Sequence, residues 1–385
     1  MSFMKNNAQT LISMNLKRIR NIKQLTQEII AEKSGLSRNA YRSIEKGEAE
    51  PRSNTLQNIA KALEVSIFDL LRPLPVLASL RFRSGKSLTG RNKDKRQEHI
   101  NDFAYWLKNF NFIESELKNK IDFKLKDIAG TASIPIDMAK LARKHLGLDE
   151  KEPVHDICGL IESAGIKIYQ FKSDIDNLFG FCLSNKDGGP AIGVNIAETI
   201  SVERKIFTVA HELGHILLHV NSFDSKEDVE NNSTEKEADV FASHFLMPQK
   251  AFDSELQKNS GLHWIKRILH IKRIFKVSYR TVIMRLIEMG KADSSIWQNF
   301  AIEHKRLTGK SLANHHEPES LSNKDFSAQE PAALDNIDFT ETRLQFLVRK
   351  AFERDIITMS RAAEILNISL VEMRDLAKNW GALNG

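Results

Sequence analysis

The stretch Phe207 to His219, FTVAHELGHILLH, restricts this chain more than any other part of it. It contains His-Glu-x-x-His at 211–215. A helix turns once every ~3.6 residues, so His211 and His215 project from one helix face. Their ring nitrogens can then meet one Zn²⁺ at ~2.0–2.1 Å. Glu212 lies one residue along, off the ligand face but beside a water held by the cation. A carboxylate there can take the water's proton and leave a nucleophile for a peptide carbonyl. Two histidines do not complete a site. His219 sits about two turns, ~12 Å, beyond His211 on a straight helix, outside one coordination shell. The segment STEKEADVFASHFLMP, residues 233–248, offers carboxylates instead. Glu235 and Asp239 are spaced i, i+4 on an expected helix, so one can bind the metal while the other hydrogen-bonds a ligand imidazole. Glu235 is taken as the ligand and Asp239 as the imidazole's partner. Glu237 points to another face and becomes a ligand only in a shifted helix register.

With 385 residues the chain exceeds one ordinary domain and suggests two or three. A composition of 41% hydrophobic and 28% charged residues argues against wholesale disorder. No run approaches the ~18 apolar residues of a membrane span, and none is expected. The opening MSFMKNNAQT lacks the basic-then-apolar layout of a secretory signal, so a cytoplasmic address is expected. Cys158 and Cys182 are too few for a disulfide framework and read as buried thiols. The net charge of +6 is unevenly divided: residues 1–98 hold 19 Lys/Arg against 9 Asp/Glu, and the remainder holds 37 against 41. Such asymmetry points to nucleic acid at one end and a different task at the other.

Residues 13–72 read as short amphipathic helices. Leu16 and Ile19 mark one stripe, Ala31 lies in a second helix, and Leu56, Ile59, Ala60 and Leu63 keep helical spacing in another. Thr26, Ser37, Ser53 and Ser66 stand where side chains cap helix N-termini, and Ser66 with Asp69 fits a capping box. A helix starting at Ser37 presents Arg38, Asn39 and Arg42 from its first half, as a helix entering the major groove must. Arg suits guanine and Asn adenine, while Thr26 and Gln27 at a helix start suit phosphate. Residues 73–98, with seven Lys/Arg between Arg81 and Arg96, read as a basic linker, either an ordinary solvated one or one that adds sequence-independent phosphate contacts.

Helical spacing returns over 99–150. From 154 to 196 it gives way to short apolar runs, with 178–183 and 191–196 forming a hairpin across NKDGGP. Ala191 to Asn195 reads either as a core strand or as a sheet edge able to receive an extended substrate. Helices resume over 201–290, residues 308–335 form a polar linker, and 336–385 form a helical tail. Within the tail, 358–380 has two capped helices separated by Asn367 and no basic excess, which suits partner docking or dimerisation.

Residues 13–72 resemble the XRE/Cro-type helix-turn-helix family. Ala31 and Gly35 take the small positions of the turn, Leu36 and Ile44 the apolar ones, and the pieces IEKG and NTLQNIAKAL follow the family's layout. Residues 135–290 resemble the ImmA/IrrE family of zinc-dependent peptidases. That family's motif, FTxAHELGHxLLH followed by E-x-E-A-[ND]-x-FA-x-x-[LF]-LMP, is met at 207–219 and 235–248, with Gly180, Asn195, Val277, Ser278, Arg285 and Leu286 in keeping. The resemblance implies a gluzincin-like site with a Glu as third ligand, which agrees with Glu235. An oxyanion stabiliser is also needed, and Tyr279, Arg280 and His263 are the candidates.

The expected fold is mainly α with an α+β part: a five-helix helix-turn-helix domain, a gluzincin-like α+β peptidase domain and a helical tail. The expected function is a transcriptional regulator that binds a double-stranded DNA operator, forms a homodimer and carries a zinc metalloendopeptidase. The resemblances imply a protein substrate, a repressor or a toxin–antitoxin partner, in stress response or mobile-element control. The competing expectation is a non-enzymatic antitoxin or repressor whose metal site is sensory or structural.

Overall fold

A computed structural model of the chain describes residues 2–23, 25–71, 77, 80–82, 91–220, 223, 232–312, 317–318 and 334–382. These contain seventeen α-helices and four strands. They divide into two compact units, one of Met1–Val76, Gly90–Lys120 and Arg343–Gly385, the other of Leu77–Thr89 and Ile121–Thr342.

The first unit begins with five helices, α1 (Ser2–Ile22), α2 (Gln27–Ser34), α3 (Arg38–Glu45), α4 (Ser53–Ala62) and α5 (Ile67–Leu71). Their apolar stripes meet in one core that includes Leu16, Ile30, Tyr41, Ile59, Leu63 and Leu70. The Thr26 hydroxyl accepts from the Ile29 amide and that of Ser37 from the Ala40 amide, each satisfying an orphan donor of a first turn. Gly35 ends α2 in the left-handed region, φ +71°. Ser66 and Asp69 cap reciprocally as expected. Ser53 does not cap: it is the first residue of α4, which starts after Arg52 without a side-chain cap.

The stretch 73–98 is not one linker. Leu80–Phe82 is a strand, β1, and Arg91 opens the long helix α6 (Arg91–Glu116), which runs without Gly or Pro. The rest of that stretch, up to residue 90 and apart from Leu77, lies outside the described residues. Of three C-terminal helices in the first unit, Arg343–Glu353 and Met359–Leu366 pack on α6, and Leu370–Ala382 packs on Met359–Leu366. Arg343 pairs with Glu114 at 2.7 Å, Arg361 donates to Asn109 at 2.8 Å, and the Tyr105 hydroxyl bonds Glu364.

The second unit holds α7 (Pro135–His145), α8 (Ile157–Ser163), β2 (Lys167–Phe171), β3 (Gly180–Leu183) and β4 (Ala191–Asn195). There follow α9 (Val202–Leu218), α10 (Asn232–Leu246), α11 (Gln249–Lys258), α12 (Trp264–Phe275), α13 (Tyr279–Glu288) and α14 (Ile296–Thr308). The sheet order is β1-β3-β4-β2, with β3 antiparallel to both neighbours and β2 parallel to β4. The hairpin expected from NKDGGP is β3–β4. As an interior strand with all five residues buried, β4 is a core strand, and no substrate can add to it. Of the polar stretch 308–335, residues 313–316 and 319–333 lie outside the described residues. Glu317 accepts from the Tyr279 amide at 3.2 Å.

Helix α9 starts at the Ser201 cap and is buried over almost its whole length. Gly214 makes this possible on the side of α10, since a Cβ there would stand 3.0 Å from the Phe241 ring and 3.3 Å from Ala238 Cα. Phe241 and Phe245 are fully buried behind it, each stabilising by ~1.5–3 kcal/mol. This close contact sets the acidic first turns of α10 beside the histidines of α9.

Candidate metal centre and DNA-facing helix

His211 and His215 stand one turn apart on α9 with their Nε2 atoms 3.0 Å from each other. Glu235, in the first turn of α10, brings one carboxylate oxygen to 3.3 Å from His211 Nε2 and the other to 3.2 Å from His215 Nε2. Donors ~2.0–2.1 Å from a tetrahedral ion are separated by about 3.3 Å, so the three groups have the spacing of one coordination shell. Both histidines are buried, and burial pushes His215 down to about 3, keeping its ring neutral.

The outward ring nitrogens are occupied. His211 Nδ1 faces the Asp239 carboxylate at 2.7 Å, which assigns that nitrogen as the donor. His215 Nδ1 lies 2.8 Å from His219 Nδ1, and His219 Nε2 lies 3.0 Å from Glu237, which also accepts from Ser233 at 3.0 Å. A single proton order satisfies this chain: His215 donates to His219, and His219 donates to the Glu237 carboxylate. The two Nε2 lone pairs and the Glu235 oxygens are then turned on one another, an arrangement of acceptors that fits a shared cation. The residues present therefore fit a zinc ion.

Glu212 is 1% exposed and lies under β3. A Cβ on Gly180 would stand 3.2 Å from Glu212 Oε1 and 2.5 Å from Thr208 Cγ2, so only glycine allows the strand this close. The Cys182 thiol hydrogen-bonds Glu212, and burial pushes that thiol well above its ordinary range. Among the oxyanion candidates, Tyr279 stacks on Phe300 at 4.8 Å and Arg280 donates to the Tyr279 hydroxyl. Both line a cavity of ≈ 600 Å³ with Asn195 and Arg204. His263 stands at the start of α12, 3.8 Å from Glu303.

On the first unit, Arg38, Asn39 and Arg42 lie exposed on α3, and Arg38 pairs with Glu28 at 2.7 Å. Thr26 and Ser37 spend their hydroxyls on the caps and remain exposed. Gln27 differs from expectation: its amide donates to Glu45, a buried carboxylate that also holds Arg20 at 2.7 Å. A phosphate contact through that side chain would have to use its second amide N–H while the first stays on Glu45.

Residues 16–70 match the helix-turn-helix family model, and residues 161–286 match the peptidase M78 family, described as an IrrE N-terminal-like domain. Over 62 residues the chain is 45% identical to YqaE of Bacillus subtilis (strain 168), named as an uncharacterized HTH-type transcriptional regulator. That match covers 16% of this chain and 53% of YqaE. Over 63 residues it is 40% identical to y4dJ of Sinorhizobium fredii, which carries the same description, covering 16% of this chain and 82% of y4dJ. The chain belongs to the HTH-type transcriptional regulators. It spans about half the length of YqaE.

The regulator thus joins an XRE-type DNA-binding segment to an IrrE-like domain in one chain. No described helix is long and apolar enough to cross a membrane. His219, too far along the helix from His211 to share its ion, bonds His215 instead, a partner not assigned from the sequence. The i, i+4 spacing of the two residues was the available signal. Glu237, a ligand only in a shifted register, instead bonds His219, and nothing in the local pattern reports that Arg81, 153 residues from Thr234, donates to Thr234 at 2.8 Å and pairs with Glu235 at 3.3 Å.

Proposed function

We propose that this regulator binds a double-stranded DNA operator as a cytoplasmic homodimer and relieves repression by cleaving a repressor or toxin–antitoxin partner with a zinc-dependent endopeptidase site. The observation that carries the reading is the convergence of His211, His215 and Glu235 at 3.0–3.3 Å, with Glu212 on the next residue of the same helix. His211, His215 and Glu235 hold the ion, while Asp239 and His219 fix the two rings. When bound, Zn²⁺ acts as a Lewis acid that acidifies water and polarises a carbonyl. Glu212 accepts a proton from the attacking water as its oxygen bonds to the peptide carbon, and delivers it to the leaving nitrogen as the C–N bond breaks. Arg38, Asn39 and Arg42 read base edges from α3, and the starts of α2 and α3 at Thr26 and Ser37 meet phosphates.

A non-catalytic regulator with a sensory or structural metal is the second reading, favoured by the near-complete burial of Glu212. Substituting Glu212→Gln separates the two. Retained zinc with lost cleavage of proteins encoded beside this gene supports the peptidase; unchanged regulation, with those proteins intact beside zinc-loaded wild type, overturns it.

A further inference from the structure

Strand β3 is the part of the sheet nearest the candidate reacting carboxylate. Gly180 closes on Thr208 and Glu212, and the Cys182 thiol bonds Glu212. One side of β3 is paired to β4. An extended peptide entering this centre by main-chain bonds would take the other side, as peptides add to a sheet edge. That side is held by the chain's own β1, antiparallel, with Leu80 opposite Leu183, Arg81 opposite Cys182 and Phe82 opposite Phe181.

Directly opposed residues put their side chains on one face of the sheet, so Arg81 shares the face on which Cys182 meets Glu212. Its guanidinium reaches the first turn of α10, donating to Thr234 at 2.8 Å and pairing with Glu235 Oε1 at 3.3 Å. That oxygen is the one facing His215 Nε2 at 3.2 Å. Leu80 and Arg81 keep part of their surface in solvent, 16% for the Arg81 side chain, whereas every residue of β3 is buried, so the strand adds less to the core than its partner does. Three paired residues also make a strand that a longer peptide can displace.

We propose that β1 is a resident pseudo-substrate strand, which occupies the substrate's place on β3 and must withdraw before an extended peptide can bind. The proposal rests on reading the α9–α10 centre as a peptidase site. The chain on either side of this segment, Met1–Val76 and Gly90–Lys120, belongs to the DNA-binding unit. In the chain the strand is therefore flanked on both sides by segments of that unit.

The test uses the full chain, zinc-loaded and carrying Glu212→Gln so that binding is read without turnover. The probe is a fluorescein-labelled peptide with the sequence of residues 77–83, LASLRFR, followed by anisotropy. Replacing the strand in place (Leu80→Gly, Arg81→Ser, Phe82→Gly) is expected to tighten peptide binding at least tenfold. Equal affinity with and without the strand, or no binding in either, overturns the proposal.

A second variant needs only one change. Arg81→Cys stands opposite native Cys182 at a cross-strand separation a disulfide can span. The oxidised form should exclude the peptide and the reduced form admit it. Equal binding in both forms, or failure of the cross-link to form, counts against the strand. The peptidase reading fails separately: a strand-free chain with Glu212 intact that binds the peptide, holds zinc and cleaves nothing leaves the resident strand standing without a protease.

Discussion

His219→Ala tests whether the proton chain behind His215 shapes the metal centre. The imidazole of His219 is 6% exposed and stands 2.8 Å from His215 Nδ1 and 3.0 Å from Glu237. Truncation leaves the buried His215 N–H with no acceptor, a loss of ~1–3 kcal/mol, and lets the ring rotate away from the shared centre. At ~1.4 kcal/mol per decade this predicts a fall in zinc affinity approaching 100-fold, the upper end of what outer partners of zinc ligands contribute. Asp239→Ala serves as the internal comparison. Its carboxylate is 48% exposed, so water can replace it against His211 Nδ1, and the fall should stay near tenfold. His219→Gln, whose carbonyl can accept from His215, should recover part of the loss. Competition against a chromophoric chelator at pH 7.5 measures all four proteins. A His219→Ala affinity within about threefold of wild type, or a larger loss from Asp239→Ala, would refute the reasoning.

Three further outcomes follow from other parts of the molecule. Gly180→Ala forces a Cβ to 2.5 Å from Thr208 Cγ2 and 2.9 Å from the Gly193 carbonyl, an overpacking cost of ~1–3 kcal/mol. A melting temperature unchanged in calorimetry would contradict it. Arg38→Ala and Asn39→Ala should each lose ~1–3 kcal/mol on the best duplex selected from a random pool while leaving the salt dependence of binding nearly unchanged, as base contacts do. Uniform weakening across sequences would assign them to the backbone instead. Burial pushes the Asp102 carboxyl up to about 7, against the pull of Arg18 and with Glu98 adding to the rise. The folded chain therefore binds a proton the unfolded chain has released, and stability falls as the pH climbs from about 4 to about 7. Asp102→Asn should gain on wild type by on the order of 1–3 kcal/mol between pH 4 and pH 8 in urea denaturation; a gap independent of pH would exclude this linkage.

Much of the candidate site was readable from the chain because its chemistry is written at helical spacing. His211 and His215 one turn apart, Glu235 and Asp239 one turn apart, and Thr26 and Ser37 at helix starts are patterns that neighbouring residues enforce among themselves. Ser53 failed as a cap for a local reason too: the helix begins one residue earlier, a shift to which periodicity is insensitive. Gln27 is different. Its turn toward Glu45 depends on a buried carboxylate in another helix, which no local pattern reports.

The strands show the limit more sharply. Short apolar runs and turn residues located β3 and β4, but edge and interior are properties of the assembled sheet. Ala191–Asn195 is covered on both sides, while Leu80–Phe82, three residues in a basic stretch that reads as linker, supplies an edge. So short a strand carries almost no periodic signal, and its pairing to a segment a hundred residues away is decided by main-chain hydrogen bonds.

The sequence by itself determined that α9 carries two imidazoles one turn apart on one face, that an acidic helix follows, and that the basic end is a helix-turn-helix, since these depend on contacts within a few residues. Only the tertiary structure decided that Glu235 closes on the histidines through the small Gly214 contact, that His219 backs His215, and that Arg81 lies over the centre. Each of those is a packing distance between remote segments, and packing distances are fixed by burial across the whole fold and not by the order of residues along one helix.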